Sequence, residues 1–257
     1  QDEFKVLWDD VIRVYRGGEE AKPHYTGMLA LKEIKDQPAK EKESVIGRNA
    51  FFVVDGQQRL TSIVILIKAL QEYIVGEGGT VADVLSFSDG TYRFDYSKDY
   101  SDAAKSFFEK RIYLAHTSNV VCADLYCKNI SRAKEYIDGL LVSYSCKEAE
   151  EILSIVEDKL FFNIYFVDEK FDVRVTFETM NNRGKKLSNL ELLKNRLMYL
   201  TTFIGSTEES SNYQSILNSS INKAWSNIYA NLCYQNYQLN DDEYLRAHWC
   251  IFVTLNK

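Results

Sequence analysis

The sequence predicts an α+β fold: a small mixed sheet with a central buried helix, plus a predominantly helical lobe. Three observations carry this. The stretch Phe51–Leu70 reads F-F-V-V-D-G-Q-Q-R-L-T-S-I-V-I-L-I-K-A-L, a short apolar strand turning through Asp-Gly into an almost wholly apolar helix. Two further runs, 24–34 and 160–167, have strand character, while most of the rest has helical spacing. The 257 residues are 46% hydrophobic and 26% charged, which is enough chain to bury a sizeable core.

Taken in order, residues 3–16 set Phe4, Leu7, Trp8, Val11, Ile12 and Tyr15 at helical spacing, and Gly17-Gly18 ends that helix. Residues 24–34 read as a strand in which Gly27 allows close backbone approach. Residues 35–49 are charged, contain Pro38 and read as a loop. Phe51–Val54 is a short strand consistent with burial on both faces. The next segment, from about Gln57 to Val75, contains the β-branched run Ile63, Val64, Ile65 and Ile67. Its length and cap signals still predict a helix, and its near-continuous apolarity predicts a central one. Gly76-Glu77-Gly78-Gly79 terminates it, and Tyr92–Tyr96 is a short-strand candidate.

Helices are expected at 101–110, 124–143 and 147–159, the last two carrying the stripes Ala133, Tyr136, Ile137, Leu140, Leu141 and Ile152, Ile155, Val156, Leu160. Leu160–Val167 is the clearest strand. Val173–Met180 fits either an alternating or a helical pattern. The helix after it has an S-x-x-E capping box at Ser188 and Glu191. Residues 205–220 are rich in Ser and Asn and read as a loop, and 221–257 read as helical.

Composition narrows the function classes. A net charge of −6 does not advertise a nucleic-acid-binding surface, although a local basic patch remains compatible with it. The five cysteines form no C-x-x-C pair and their odd count argues against a disulfide framework, so buried thiols in a cytosolic protein are expected. His24, His116 and His248 are scattered, without metal-ligand neighbours. The longest apolar run, Ile63–Ile67, is too short to span a bilayer. The opening Gln1-Asp2-Glu3-Phe4-Lys5 lacks Met and is not signal-like, so the start reads as trimmed.

The turn Asp55-Gly56-Gln57-Gln58-Arg59 supports two readings. In the structural one, Asp55 is the N-cap and Gln58 completes a D-x-x-Q capping box, with Gly56 serving the sharp turn. In the chemical one, the helix N-terminus offers free N–H groups and the positive end of its dipole to an anion. Arg59 is the discriminating residue, because a cation in the first helical turn opposes the dipole by a few tenths of a kcal/mol unless an anion lies between. A phosphate would satisfy both. Asp55 could then hold Mg²⁺ bridging phosphate oxygens, or orient a water, and Gln57 or Gln58 could position that water. The second polar turn, Asn181-Asn182-Arg183-Gly184-Lys185-Lys186, reads either as a solvated basic turn or as a second phosphate-binding loop ahead of a capped helix.

The residues D-G-Q-Q-R-L-T-S at 55–62 resemble the signature of the N-terminal domain of GmrSD-type modification-dependent restriction systems, a domain shared with related phage-defence proteins. Phe177, Asn181, Arg183, Gly184, Leu187 and the Ser188 helix resemble that family's second signature. The strand around Tyr25–Leu31 with Gly27 is similar to its aromatic-x-Gly strand. The three elements span residues 1–200. The family is related to the ParB/sulfiredoxin superfamily, whose G-x-x-R turn binds nucleotide phosphates, and Gly56–Arg59 fits that pattern.

The resemblance implies a ParB/sulfiredoxin-like nucleotide-binding core over 1–100, a helical insert over 101–160, a strand and second-motif helix completing the core over 161–200, and a truncated helical segment over 201–257. It implies that Val173–Met180 is mostly helix. It also implies an NTP-binding and hydrolysing regulatory domain, cytoplasmic in a bacterium or archaeon, with Mg²⁺ or a similar divalent cation as cofactor. Asp55, Gln57, Gln58 and Arg59 would be catalytic, with Asp55 the metal ligand. Gly56, Arg59, Thr61, Asn181, Arg183, Gly184 and Lys185 would bind nucleotide. The partners implied are nucleotide, modified DNA and a nuclease domain or subunit, with no membrane. The family's upstream Q-R-x-Y element is absent from these residues, and nothing in 201–257 resembles its His-Asn-His nuclease. Two alternatives stand beside this reading: a ParB-like DNA-binding or nuclease domain without nucleotide hydrolysis, and a structural adaptor in which both turns are caps.

Overall fold

The computed structural model describes residues 2–34, 50–95, 102–114, 125–167, 188–203, 208–232 and 240–255. The chain divides into two compact units, residues 1–122 with 126–171 and residues 123–125 with 172–257.

In the first unit, α1 (Asp2–Arg16) buries Phe4, Trp8, Val11 and Ile12 on one face, as its spacing predicts. Strand β1 (His24–Glu33) is the middle strand of a three-stranded sheet. On one side it pairs antiparallel with β2 (Phe51–Asp55), and on the other parallel with β3 (Leu160–Phe166). The sheet is therefore mixed and the fold α+β. The helix leaving β2 is α2 (Gln57–Gly76).

Why α2 is apolar nearly all round is visible in its surroundings. Ile63 to Ile67, Ala69, Leu70 and Ile74 are buried. They lie in one core with Trp8 and Val11 of α1, with Phe107 and Phe108 of α3 (Asp102–Phe108), with Ile130, Ile137 and Leu141 of α4 (Leu125–Leu141), and with Ile152, Leu153 and Val156 of α5 (Cys146–Asp158). Each such side chain contributes about 1.5–3 kcal/mol on burial. That is what holds a β-branched run in a helix against its intrinsic preference.

In the second unit, α6 (Asn189–Leu200) begins at the expected capping box, with Ser188 Oγ accepting from Glu191 N and Glu191 Oε2 accepting from Ser188 N. Helix α7 (Glu208–Leu232) follows, and α8 (Asp241–Leu255) is joined to α6 through Asp242, which accepts from Asn189 N at 2.6 Å. Leu190, Trp225 and Leu232 form the buried centre of this unit.

Four expectations are corrected. Phe51–Val54 is not buried on both faces: β2 is an edge of the sheet, and Phe52 is 45% exposed. Tyr92 makes an isolated bridge to Ser86, as one side of a tight reversal closed by Phe87 N to Thr91 O and Arg93 N to Leu85 O, and not a strand. The Ser- and Asn-rich stretch is not a loop over 208–220 but the first half of α7, since such residues cost only a few tenths of a kcal/mol each in a helix, and Ile221, Trp225 and Ile228 further along anchor it. The thiols are not uniformly buried: Cys127 is, Cys146 is half-buried and Cys250 is exposed. Residues 35–49, Tyr96 and 173–187 lie outside the described residues.

Candidate functional site: the β2–α2 turn

Strand β2 ends with Asp55 opposite Ala30 of β1. Gly56 follows in the left-handed region, at φ +90° and ψ +10°, and it is the N-cap of α2. No side chain caps this helix, so the proposed Asp55–Gln58 capping box does not form. The physical reason is local. Asp55 is the last residue of the sheet ladder, and the reversal at Gly56 moves the cap position one residue onward.

The first helical bond runs from Leu60 N to Gly56 O at 3.0 Å, so the amides of Gln57, Gln58 and Arg59 precede the intrahelical ladder. Gln57 and Gln58 are exposed, while Asp55, Gly56, Arg59 and Thr61 are half-buried. Gln57 Nε2 donates to Val53 O at 2.7 Å, which folds its side chain back along β2.

Arg59 does not project into solvent at the wrong end of a dipole. Its Nη1 donates to Met28 O on β1 at 2.7 Å, across 31 residues of sequence. Gly27, at φ +126°, lies against the same group: a β-carbon there would stand 3.1 Å from Arg59 Nη1, 3.2 Å from Cζ and 3.3 Å from Nε. A β-carbon on Gly56 would meet Leu29 Cδ2 at 2.4 Å and Met28 O at 3.1 Å.

Asp55, Gly56, Gln57, Gln58, Arg59 and Thr61 are thus brought together in one strand–helix turn, within hydrogen-bonding reach of β1 at Arg59. Asn181, Arg183, Gly184 and Lys185 lie outside the described residues. Sequence reasoning did not pair Arg59 with Met28. A backbone carbonyl leaves no mark in a sequence, and the one available signal was Gly27, an isolated glycine inside a strand pattern.

Among the described residues no three His, Cys, Asp or Glu gather into a metal cluster. The turn offers one carboxylate, Asp55. That fits a Mg²⁺ ion held by a single carboxylate together with substrate phosphates, and it does not fit an all-protein cage.

A mixed three-stranded sheet that passes the chain through a left-handed glycine to a buried helix, with an arginine drawn back onto the sheet, defines an α+β domain built around one polar strand–helix turn. Residues 1–198 match the family model for the GmrSD restriction endonuclease, N-terminal domain, and the chain belongs to that family. It is therefore a domain of a restriction system, with a defence role. No curated protein matches the chain. Among the described residues no helix is long and apolar enough to cross a membrane.

Proposed function

We propose that the chain is a nucleoside-triphosphate-binding and hydrolysing regulatory domain of a modification-dependent restriction system, acting in the cytoplasm and coupling hydrolysis to recognition or cleavage of modified DNA. One observation carries the reading. The Arg59 guanidinium is held beside the first turn of α2, where the amides of residues 57–59 precede the helical ladder. A phosphate placed there meets fixed N–H donors, the positive end of the dipole and a guanidinium at once.

In this reading Arg59 and the α2 amides hold phosphate oxygens, and the Thr61 hydroxyl is a further ligand one turn on. The Asp55 carboxylate would hold Mg²⁺, which when bound offsets charge on the phosphates. Gln57 has its Nε2 committed to Val53 O, which leaves Oε1 as an acceptor, the atom type needed to orient the O–H of an attacking water. Gln58, exposed beside it, can do the same. Asn181, Arg183, Gly184 and Lys185 of the second polar turn are further candidate nucleotide ligands.

The test is titration of Mg²⁺–nucleotide into the wild-type chain, Arg59→Ala and Asp55→Ala. Arg59→Ala is expected to weaken binding by about tenfold to a hundredfold, the worth of one charged hydrogen bond. Asp55→Ala is expected to retain metal-free nucleotide binding and lose hydrolysis. Equal affinity in wild type and Arg59→Ala would remove the proposal.

The structural-adaptor reading has one observation in its favour: Gln57 and Arg59 both donate to the chain's own carbonyls, Val53 O and Met28 O. It predicts that Arg59→Ala lowers stability and leaves every nucleotide measurement unchanged.

A further inference from the structure

We infer that Gly27 is a positioning residue for Arg59, and that the bulge it occupies on β1 is a seat that fixes the guanidinium for a two-oxygen ligand edge. The inference rests on the nucleotide-binding reading above for its ligand, and on geometry alone for the seat.

The seat has two parts. The first is the face of Gly27. The β1–β3 register shifts between Tyr25, opposite Phe161, and Gly27, opposite Phe162, so Thr26 is an extra residue in β1 and the strand bulges. Gly27 takes φ +126° there. A β-carbon on it would be nearly equidistant from Nη1, Cζ and Nε of Arg59, at 3.1, 3.2 and 3.3 Å. A point that close to three atoms of one planar group faces the plane and not its rim, so the guanidinium lies flat over the glycine.

The second part is the carbonyl of Met28. Antiparallel pairing of β1 with β2 ends at Ala30 opposite Asp55. Had β2 continued in that register, Gln57 would stand opposite Met28, but the chain has already turned at Gly56 into α2. Arg59 Nη1 takes the vacated rung, donating to Met28 O at 2.7 Å. The closeness of Gly56 to the same carbonyl, 3.1 Å from where its β-carbon would be, shows that both glycines are needed for this approach.

One face and one N–H of the guanidinium are therefore committed to β1. Of its five N–H donors, four have no partner among the described residues. A long side chain is held in a single pose before any ligand arrives, which removes part of the ordering cost of binding. The uncommitted edge suits bidentate recognition of two oxygens on one phosphate group. A lysine, with its point charge and no planar face to rest on the glycine, cannot reproduce that.

The experiment uses the full chain with Gly27→Ala, Arg59→Ala, their double variant and Arg59→Lys. Two quantities are read: nucleotide affinity by calorimetry, and urea unfolding without nucleotide. Gly27→Ala is expected to weaken nucleotide binding by at least about tenfold, and the double variant to bind no more weakly than Arg59→Ala alone. Arg59→Lys is expected to bind as weakly as Arg59→Ala. In unfolding, the loss caused by Gly27→Ala is expected to shrink in the Arg59→Ala background, where the group it would strike is gone. Independent, multiplying effects on affinity would overturn the inference, and so would wild-type binding by Arg59→Lys. Unfolding losses that simply add would overturn the seat itself, whether or not nucleotide binds. Should Gly27→Ala fail to fold, Arg59→Lys still decides. If Arg59→Ala binds nucleotide as wild type does but the unfolding losses are coupled, the seat stands and the nucleotide reading fails.

Discussion

Gly56 carries more of the turn than the acidic residue before it. Its φ of +90° is one that a residue with a β-carbon rarely adopts. That β-carbon would land 2.4 Å from Leu29 Cδ2, on a side chain only 6% exposed that would have to shift. Left-handed backbone costs about 1–2 kcal/mol and forcing a methyl into packed space about 1–3 kcal/mol. Gly56→Ala is therefore expected to destabilise the chain by about 3 kcal/mol, read as a lower urea midpoint with an unchanged slope. Asp55 contrasts with it. A D-x-x-Q pattern marks a capping box in sequence, yet Asp55 caps nothing because it is still paired with Ala30 in the sheet. The glycine was legible as a turn residue. Its partners, a leucine and a carbonyl on a strand far away in the chain, were not.

At the scale of elements, the same signal succeeded where no strand competed for the capping residue. Ser188 and Glu191 form the predicted box, and Ser145 with Glu148 forms another at the start of α5. In the second, Glu148 Oε2 accepts from Ser145 N at 2.8 Å and from Ser145 Oγ at 2.7 Å. These hydrogen bonds, the backbone one first, hold the Glu148 carboxyl below its ordinary value of 4.5. A carboxyl whose folded-state pKa is depressed adds stability above its unfolded pKa and loses it as pH falls through the folded value. Acid titration of stability is expected to show this loss below the ordinary glutamate range, and Glu148→Gln is expected to flatten the slope there. A pH profile unchanged by Glu148→Gln would show that the box contributes nothing as an ion. Helix α2 was legible for a related reason: a long apolar run needs neighbours on every side. The edge position of β2 was not, because nothing in F-F-V-V distinguishes an edge strand from an internal one.

For the molecule as a whole, what joins the first unit's helices around α2 is apolar packing with one buried charge inside it. Lys134 of α4 is 3% exposed. Its ammonium lies 2.8 Å from Glu72 Oε2 of α2 and 2.6 Å from Asp138 Oδ1, one turn along its own helix. The two contacts are unequal. Asp138 is an i, i+4 partner with its side chain 43% exposed, and such pairs contribute about 0.3–0.5 kcal/mol. Glu72 crosses between helices, and its Oε1 is buried without a hydrogen-bond partner among the described residues. Removing Glu72 leaves the buried ammonium on Asp138 alone, and is expected to cost more than removing Asp138 but less than the roughly 3–5 kcal/mol of a buried charge left with no partner. Replacing both members by apolar residues, Glu72→Leu with Lys134→Met, removes both desolvated charges and is expected to be neutral or stabilising by about 1 kcal/mol or more. Urea unfolding of Glu72→Ala, Asp138→Ala and the apolar pair checks this ordering. Had Asp138→Ala cost as much as Glu72→Ala, the bridge between α2 and α4 would not be the contact that matters. An apolar pair far less stable than wild type would mean that the charges fix the helices' relative placement, a specificity that packing of similar volume does not replace.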